Sequence, residues 1–496
     1  MFDTVLIANR GEIALRVIRA CREEGLRSVA VSSSPDQEAP HVLAADQAVA
    51  LGGATPAESY LSEGLLLKAA ADTGAGAIHP GYGFLAESAK FARSVEDANL
   101  TFIGPPSTAI EEMGDKPRAR ARMVTAGVPV VPGSGELSSI ASAREAAEEI
   151  GFPIMIKAAA GGGGKGMHVV RNPSDLTAAF ERAQREAEGA FGDSRIYLER
   201  FLLGPRHIEI QILADENRTL HLGERECSIQ RRHQKLIEEA PSPCVDQVLR
   251  ERLGAVAVRA AEAVGYLGAG TVEFLLEGSD FFFLEMNTRI QVEHPVTEMI
   301  TGVDLVREQL RIALGYPALD GLDAPSPRGH ALECRISAED PQKDFLPSVG
   351  RVESLEIPMG PGIRWDGGIR VGFEVGLHYD PLLGKLIVHA ENRARAIERM
   401  QVALEELWVD GLETTQAYHL SVLSEEDFRA GTLSIEYVQE HPELLRSVPP
   451  DLRKVAIATA VLCENHLDHE ASLRVINNKK VVNRQLSPWV QAGREW

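Results

Sequence analysis

At 496 residues, this chain is too long for one hydrophobic core, and its length suggests about three domains. Its net charge of −21 argues against a nucleic-acid backbone or an anionic membrane as a partner. Its five scattered cysteines, with no recognisable signal peptide and no long apolar run, predict a cytoplasmic protein without a disulfide framework.

The first 114 residues alternate between strand and helix patterns, as in a parallel doubly wound sheet. The patterns predict strands at 4–8, 28–32, 76–79 and 101–103, and helices at 12–24 and 63–72. The first turn contains a single glycine, Gly11, where a dinucleotide-binding fingerprint requires three. The pattern therefore predicts a Rossmann-like domain and does not support NAD or FAD binding.

A glycine-rich segment follows a short apolar strand in the second part of the chain. The strand at 153–157 ends in Lys157, four glycines occupy 161–164, and another strand is predicted at 168–170. Consecutive glycines let backbone N–H groups approach phosphate oxygens, although such a run is often only a flexible hairpin. The Walker phosphate loop is excluded because Gly-Met follows Lys165. We therefore interpret the segment as a lid that closes over a triphosphate.

A hairpin is predicted from three neighbouring segments: strands at 271–276 and 281–284, and a turn at 278–280. In this hairpin Glu273 lies opposite Glu285, and Asn287 follows on the same face. Oxygen ligands without sulfur or imidazole suit Mg²⁺ or Mn²⁺ shared with a nucleotide phosphate. The hairpin therefore predicts a metal site.

The alternation of polar and apolar side chains continues in the residues after this hairpin. Read as one strand, residues 285–293 line the same face with three more polar side chains: Arg289, Gln291 and Glu293. A solvated strand face is the commoner meaning of alternation alone. The residue types instead favour a metal site that continues into an anion site.

The third region begins near residue 329, after a Pro-Ser-Pro linker at 325–327. Strands are predicted at 369–373 and 385–390, and a helix at 393–407. The last segment, 447–496, contains a Pro-Pro pair near its start. This tail is either a packing element or a docking element for a partner subunit, and the sequence does not choose between them.

Six segments of the chain resemble a known enzyme family. They are 7–13, 79–85, 205–211, 224–235, 284–298 and 329–340. With Lys116, Lys157 and the glycine run, they are similar to the biotin carboxylase component of biotin-dependent carboxylases, in the ATP-grasp superfamily. The resemblance implies an α/β (α+β) fold, with a Rossmann-like N-terminal domain at 1–114, an ATP-grasp domain at 115–328 and a mixed α/β C-terminal domain at 329–446. A mobile lid would span about 133–203, and the tail at 447–496 falls outside the resemblance.

The resemblance also implies roles for individual residues. The ATP-binding set would be Lys116, Lys157, Gly163, Gly164, Glu199, Arg200, Phe201, Leu202, His207, Gln230, His233, Glu273 and Glu285. The metal ligands would be Glu273, Glu285 and Asn287. The bicarbonate pocket would be Lys235, Arg289, Gln291, Val292 and Glu293, and the biotin-facing pair Tyr82 and Arg335. The catalytic residues would be Lys235, Arg289, Glu293 and Arg335, with Glu293 as general base.

The implied reaction is the ATP-dependent carboxylation of biotin by bicarbonate through carboxyphosphate, as the first half-reaction of an acyl-CoA carboxylase. Its cofactors would be ATP and Mg²⁺ or Mn²⁺, with two ions expected. Because the chain has no Met-Lys-Met biotinylation segment, another protein would carry the biotin. The implied partners are this biotin carboxyl carrier protein, a carboxyltransferase subunit and a second copy of the chain as a homodimer.

Other functions stay open from the sequence alone. The chain could be the biotin carboxylase subunit of a pyruvate carboxylase, because a carboxyltransferase absent from this chain decides the acceptor. It could be another ATP-grasp ligase, although the predicted bicarbonate residues count against this. It could also be a non-catalytic scaffold. The predicted metal ligands and the predicted general base are all present, which counts against a loss of catalytic activity.

Overall fold

Five parallel strands form the first sheet of the computed structural model, which describes residues 2–159, 167–445 and the single position 459. Its elements are β1 (Thr4–Ile7), α1 (Gly11–Glu23), β2 (Arg27–Ser32), α2 (Pro40–Ala44), β3 (Gln47–Ala50), α3 (Glu63–Thr73), β4 (Ala77–His79), α4 (Ala89–Asp97), β5 (Thr101–Phe102) and α5 (Ser107–Gly114). The strand order is β3-β2-β1-β4-β5, with all neighbours parallel. The prediction of a doubly wound N-terminal sheet is confirmed.

The first strand and helix show why this sequence forms such a layer. All four residues of β1 are buried, as expected of a parallel strand covered by helices on both faces. α1 turns Ile13, Val17 and Cys21 towards the core at helical spacing. The helix ends just before Gly25, whose φ of +71° lets the chain reverse into β2.

A small antiparallel sheet forms a separate layer in the second part of the chain. The elements of this part are α6 (Lys116–Thr125), α7 (Ile140–Ile150), β6 (Ile154–Ala158), β7 (His168–Val170), α8 (Leu176–Phe191) and β8 (Ile196–Arg200). The strand order is β7-β6-β8, and α7 and α8 share a core with it that includes Ala147, Phe180 and Leu198. The predicted lid thus has its own core, while its motion stays a prediction. Residues 160–166, with Gly163 and Gly164, lie outside the described residues.

A long antiparallel sheet begins in the central region. The central elements are β9 (Arg206–Ala214), β10 (Thr219–Arg231), β11 (Gln234–Ala240), α9 (Gln247–Ala263), β12 (Gly268–Glu277), β13 (Asp280–Asn287), α10 (His294–Thr301) and α11 (Leu305–Ala313). α9 covers this part of the sheet, and its Leu253 and Ala257 pack with Ile210 and Phe274 in one apolar core.

Strands of the C-terminal region extend the same sheet. The C-terminal elements are β14 (His330–Ser337), β15 (Glu339–Asp340), β16 (Leu346–Pro347), β17 (Gly350–Arg351), β18 (Ser354–Glu356), β19 (Ile363–Gly367), β20 (Glu374–Val375), β21 (Leu382–Ala390), α12 (Arg393–Glu406), β22 (Trp408–Asp410), α13 (Gln416–Ser424), α14 (Glu426–Ala430) and α15 (Tyr437–Glu440). Short 3₁₀ helices occur at Ser34–Asp36, Pro173–Asp175, Ala318–Gly321, Pro341–Lys343 and Pro442–Leu445. The sheet order is β13-β12-β9-β10-β11-β14-β21-β19. β14 pairs with β11, with Glu333 opposite Glu238, so the sheet continues across the linker at 325–327.

The C-terminal predictions have mixed outcomes. The strand at 385–390 and the helix at 393–407 are confirmed by β21 and α12. The predicted strand at 369–373 is wrong, because this segment is a turn between β19 and β20. Gly372 has a φ of +84°, which lies outside the strand region. The described residues include no helix with the length and apolar character needed to cross a membrane, and the predicted tail at 447–496 lies outside the described residues apart from position 459.

Candidate active site

A cleft with a volume of about 1790 Å³ is lined by residues of the N-terminal sheet, the lid and the long sheet. Most predicted site residues line it: Tyr82, Lys116, Lys157, Glu199, His207, Gln230, His233, Lys235, Glu273, Glu285, Asn287, Arg289, Gln291, Val292 and Arg335. Glu293 is fully buried next to them. Arg200, Phe201 and Leu202 are not part of the lining. The fold therefore gathers into one cleft residues that are far apart in the sequence.

The β12–β13 hairpin positions the predicted metal ligands. Glu273 pairs with Glu285 and Thr271 pairs with Asn287, so the predicted pairing is confirmed. The predicted three-residue turn at 278–280 is wrong, because Asp280 belongs to β13 and pairs with Glu277, and a register shift between Glu273 and Phe274 brings Glu273 opposite Glu285. The Asn287 Oδ1 atom accepts a hydrogen bond from Arg289 Nη2 at 3.0 Å. Two carboxylates and an amide oxygen at one end of a hairpin are hard donors that fit Mg²⁺ or Mn²⁺. Their role as metal ligands stays a prediction.

The two glutamates of this hairpin differ in their electrostatic surroundings. Burial would raise the pKa of Glu273, but Lys235 at 3.0 Å and His207 at 3.1 Å hold it well below its ordinary value. Desolvation and the nearby Glu273 carboxylate raise the pKa of Glu285, and Lys116 Nζ is 3.7 Å away. Of these two glutamates, Glu285 is therefore the one whose ionised form gains more from an added cation.

The predicted strand at 285–293 is wrong beyond Asn287. β13 is an edge strand that ends at Asn287, and residues 288–293 turn out of the sheet and lead into α10. Pro295 in the first turn of α10 favours the start of a helix and could not donate to a strand ladder. This turn, rather than strand alternation, brings Arg289, Gln291 and Val292 to the cleft, while Lys235 reaches it from β11.

Glu293 lies between two cations. Lys235 Nζ donates to Glu293 Oε1 at 2.6 Å, and Arg335 Nη2 donates to Glu293 Oε2 at 2.8 Å. Lys235 also donates to Glu209 Oε2 at 2.6 Å. Burial would raise the pKa of Glu293, but Lys235 and then Arg335 hold it far below its ordinary value. The ionised carboxylate of Glu293 can accept a proton. The two cations beside it can bind an anion.

Sequence reasoning missed several side chains that support this cluster. Glu238 Oε1 accepts a hydrogen bond from Arg335 Nε at 2.6 Å, and burial raises the pKa of Glu238 to about 7 against the opposing effect of Arg335. Arg225 is fully buried, donates to Glu209, and donates to Gln211 Oε1 at 2.7 Å. Glu209 and Gln211 alternate with isoleucines along β9, and this alternation was the signal available in the sequence.

The lid and the β10–β11 turn present the predicted ATP-binding residues. Lys157 Nζ lies 2.5 Å from Glu199 Oε2, and Arg120 Nη1 donates to Glu199 Oε1 at 3.0 Å. His233 occupies the turn with a φ of +67°. Burial and the Lys116 cation lower the pKa of His233, so its imidazole is neutral at pH 7. The lysines on both sides of the cleft can pair with the phosphates of an anionic nucleotide. The neutral imidazole of His233 can donate one hydrogen bond to the nucleotide or accept one from it.

The segment Arg200, Phe201 and Leu202 follows the last lid strand. Arg200 Nη2 donates to Glu277 Oε2 at 2.8 Å, and its guanidinium carbon lies 5.1 Å from the centroid of the Phe282 ring. These contacts engage the Arg200 side chain, and Leu202 is buried. The ATP-binding role of this segment stays a prediction, and it would use backbone groups.

Tyr82 and Arg335, the predicted biotin-facing pair, both line the cleft. The Tyr82 hydroxyl donates to Glu12, and desolvation together with the Glu12 carboxylate raises the pKa of Tyr82 well above its ordinary value. Asn9 Nδ2 holds the Tyr82 turn by donating to the carbonyls of Pro80 and Tyr82, each at 2.7 Å. Arg335 is the cation of the pair, and its guanidinium can stabilise an oxyanion.

Comparison with known proteins places the chain in a family. Three family models match in succession: the N-terminal domain of biotin carboxylase at 1–110, the ATP-binding domain of the carbamoyl-phosphate synthase L chain at 115–320, and the biotin carboxylase C-terminal domain at 333–440. The biotin carboxylase of Nostoc sp. is 52% identical over 442 residues, which cover 88% of this chain and 99% of that protein. A pyruvate carboxylase subunit of Methanothermobacter thermautotrophicus is 49% identical over 457 residues, 92% of each chain.

A solved structure is similar over the same span. The biotin carboxylase domain dimer of the Hydrogenobacter thermophilus 2-oxoglutarate carboxylase, in complex with MgADP, ADP and bicarbonate, has a TM-score of 0.84 and 47% identity. The match covers 90% of this chain and 99% of that chain. Fold and site thus define an ATP-dependent carboxylating ligase of the ATP-grasp type. The chain belongs to the biotin carboxylase family, whose reaction is the ATP-dependent carboxylation of biotin.

Proposed function

We propose that this chain is the biotin carboxylase subunit of an acyl-CoA carboxylase and acts on biotin held by a separate carrier protein. The observation that supports the carboxylation of biotin is Glu293, 2.6 Å from Lys235 and 2.8 Å from Arg335, because one carboxylate then serves both an anion site and an oxyanion site. The acyl-CoA acceptor is the further part of the proposal. The second candidate is the matching subunit of a pyruvate carboxylase, since the chain is 49% identical to the Methanothermobacter subunit of that enzyme.

In the first step, Lys235 and Arg289 would hold bicarbonate, with Gln291 and Val292 completing its pocket. Glu293 takes the proton of bicarbonate while the freed oxygen attacks the γ-phosphorus of ATP, and ADP leaves. The residues that would hold Mg²⁺ or Mn²⁺ are Glu273, Glu285 and Asn287. When bound, the metal neutralises phosphate charge. This step yields carboxyphosphate.

In the second step, the C–O bond of carboxyphosphate breaks and gives CO₂ and phosphate within the closed cleft. The phosphate takes the N1 proton of biotin, and N1 then attacks CO₂. Arg335 stabilises the negative charge on the ureido oxygen while this happens. Proximity is the main contribution of the protein here, because CO₂ and biotin react before either can diffuse away.

In this proposal, each domain supplies a different part of the active site. The N-terminal domain at 1–114 supplies Tyr82, the ATP-grasp domain at 115–328 supplies the nucleotide and bicarbonate sites, and the C-terminal domain at 329–446 supplies Arg335. The lid at about 133–203 would exclude water from carboxyphosphate when closed. The separate small core of the lid supports movement as a unit.

Adding ATP and Mg²⁺ is expected to slow hydrogen exchange at 161–166, because lid closure places the glycine backbone on the phosphates. Hydrogen-exchange mass spectrometry of the full chain measures this change. Peptides from α4 (Ala89–Asp97), which contributes nothing to the cleft, serve as the internal control. Unchanged exchange at 161–166 under saturating ATP would contradict lid closure.

An activity assay tests the proposed reaction. The purified chain is expected to release ADP from ATP when bicarbonate is present, and free biotin is expected to stimulate this release and to become carboxylated. The scaffold alternative predicts no ATP binding. Another ATP-grasp ligase predicts ATP cleavage that does not respond to biotin.

The acceptor is tested with the proteins that co-purify with the chain. We expect a biotin carrier protein, a carboxyltransferase subunit and a homodimer of this chain; the dimeric relative supports the last of these. With labelled bicarbonate, the assembled complex is expected to label acetyl-CoA or propionyl-CoA. Labelling of pyruvate alone would favour the second candidate.

A further inference from the structure

Lys385 is a fully buried lysine that lies next to the cleft without lining it. It occupies the middle of β21, opposite Arg335 on β14 and Asp366 on β19. Its side chain has no exposed surface, and it is not part of the cleft lining. Lysines are almost never fully buried unless their charge is paired. The contacts of this ammonium group therefore show what it holds in place.

The ammonium group contacts two parts of the chain that carry proposed site residues. Lys385 Nζ donates to the backbone carbonyl of Val292 at 2.8 Å, within the turn that contains the proposed bicarbonate residues. It also lies 3.2 Å from Glu12 Oε1. Glu12 accepts the hydrogen bond of Tyr82, on the proposed biotin side. One side chain thus links the two substrate subsites.

We infer that Lys385 is a positioning residue, which holds the bicarbonate turn through the Val292 carbonyl and Tyr82 through Glu12. The inference rests on the proposed function and adds a residue to it. A charge-neutralising role alone would require only carboxyl groups as partners, namely the ion pair with Glu12 and the longer-range attraction to the buried Glu333. Asp366 already has a partner, because Arg364 Nη2 donates to it at 2.6 Å. The hydrogen bond to a carbonyl in the pocket wall fixes backbone geometry and neutralises no charge.

The test compares Lys385→Met with the double variant Glu12→Gln/Lys385→Met. In the single variant, the KM for bicarbonate in ATP cleavage is expected to rise about tenfold while the KM for ATP changes little, because Lys385 contacts the bicarbonate turn and the Tyr82 side of the site and none of the described side chains that are proposed to bind ATP. The double variant removes both members of the Glu12–Lys385 ion pair. It is expected to recover thermal stability while the KM for bicarbonate stays high.

Each outcome decides the inference. An unchanged KM for bicarbonate in Lys385→Met, or a parental KM in the double variant, would overturn it, the latter because charge balance alone would then explain the residue. If the single variant does not fold, the KM of the double variant decides alone. Val95→Ala, a core change in α4, is the destabilised control and is expected to leave this KM unchanged. A parental chain without bicarbonate-dependent cleavage would instead refute the proposed function.

Discussion

Glu293→Gln is expected to abolish bicarbonate-dependent ATP cleavage, with a loss of about 10²- to 10⁴-fold, because the amide cannot take the bicarbonate proton. The parental carboxylate is ionised, since Lys235 and Arg335 hold its pKa far below the ordinary value. Glutamine has nearly the same shape, so ATP binding is expected to persist. The measurement is ADP release with and without bicarbonate, followed by carboxybiotin formation, which should also be lost.

A neighbouring glutamate provides a matched control for this variant. Glu239 is also buried and paired with a cation: it accepts a hydrogen bond from Arg393 Nε at 2.7 Å, and its Oε2 atom also lies 2.7 Å from His330 Nε2. Its partner Arg393 lies outside the cleft lining, whereas Lys235 and Arg335, the partners of Glu293, line the cleft. Glu239→Gln is therefore expected to affect stability more than cleavage. If Glu293→Gln still cleaves ATP in response to bicarbonate, the assignment of the base is wrong.

Arg335→Ala is expected to separate the two half-reactions. Bicarbonate-dependent ATP cleavage should persist at an appreciable rate, because Lys235 still holds Glu293 ionised. Carboxybiotin formation should fall about 10²- to 10³-fold, since loss of one oxyanion partner costs roughly 3 to 4 kcal/mol in comparable sites. The measurement is the ratio of carboxybiotin formed to ADP released, with both followed in parallel.

The surroundings of Arg335 make this variant informative. Its removal leaves Glu238 without its cation, but burial already raises the pKa of that carboxyl group to about 7, and without Arg335 it rises further. Glu238 can then become neutral by protonation, which avoids an unpaired buried charge. Arg335→Lys keeps a charge but loses the fork geometry, so an intermediate rate is expected. Carboxylation by Arg335→Ala at the parental rate would show that the oxyanion role is wrong.

Local patterns in the sequence determined the features that depend on neighbouring residues. The hairpin itself follows from a tight turn between two strands, so it could be predicted. The pairing of Glu273 with Glu285 depends in addition on a register shift between Glu273 and Phe274, which no local pattern in the sequence indicates. The parallel N-terminal sheet followed from alternating strand and helix patterns. The family could also be identified from the sequence, because each of the six segments that resemble biotin carboxylases is contiguous in the chain.

Tertiary structure decided how distant segments meet. Strand alternation could not show that the chain turns after Asn287, because the direction of an edge strand depends on what packs beyond it. Likewise, Glu238 and Lys385 carry no local signal for a site. They reach Arg335 and the Val292 carbonyl only because β11, β14 and β21 are neighbours in one sheet. Burial and charge pairing of this kind arise from the fold as a whole, and the sequence does not express them in any one stretch.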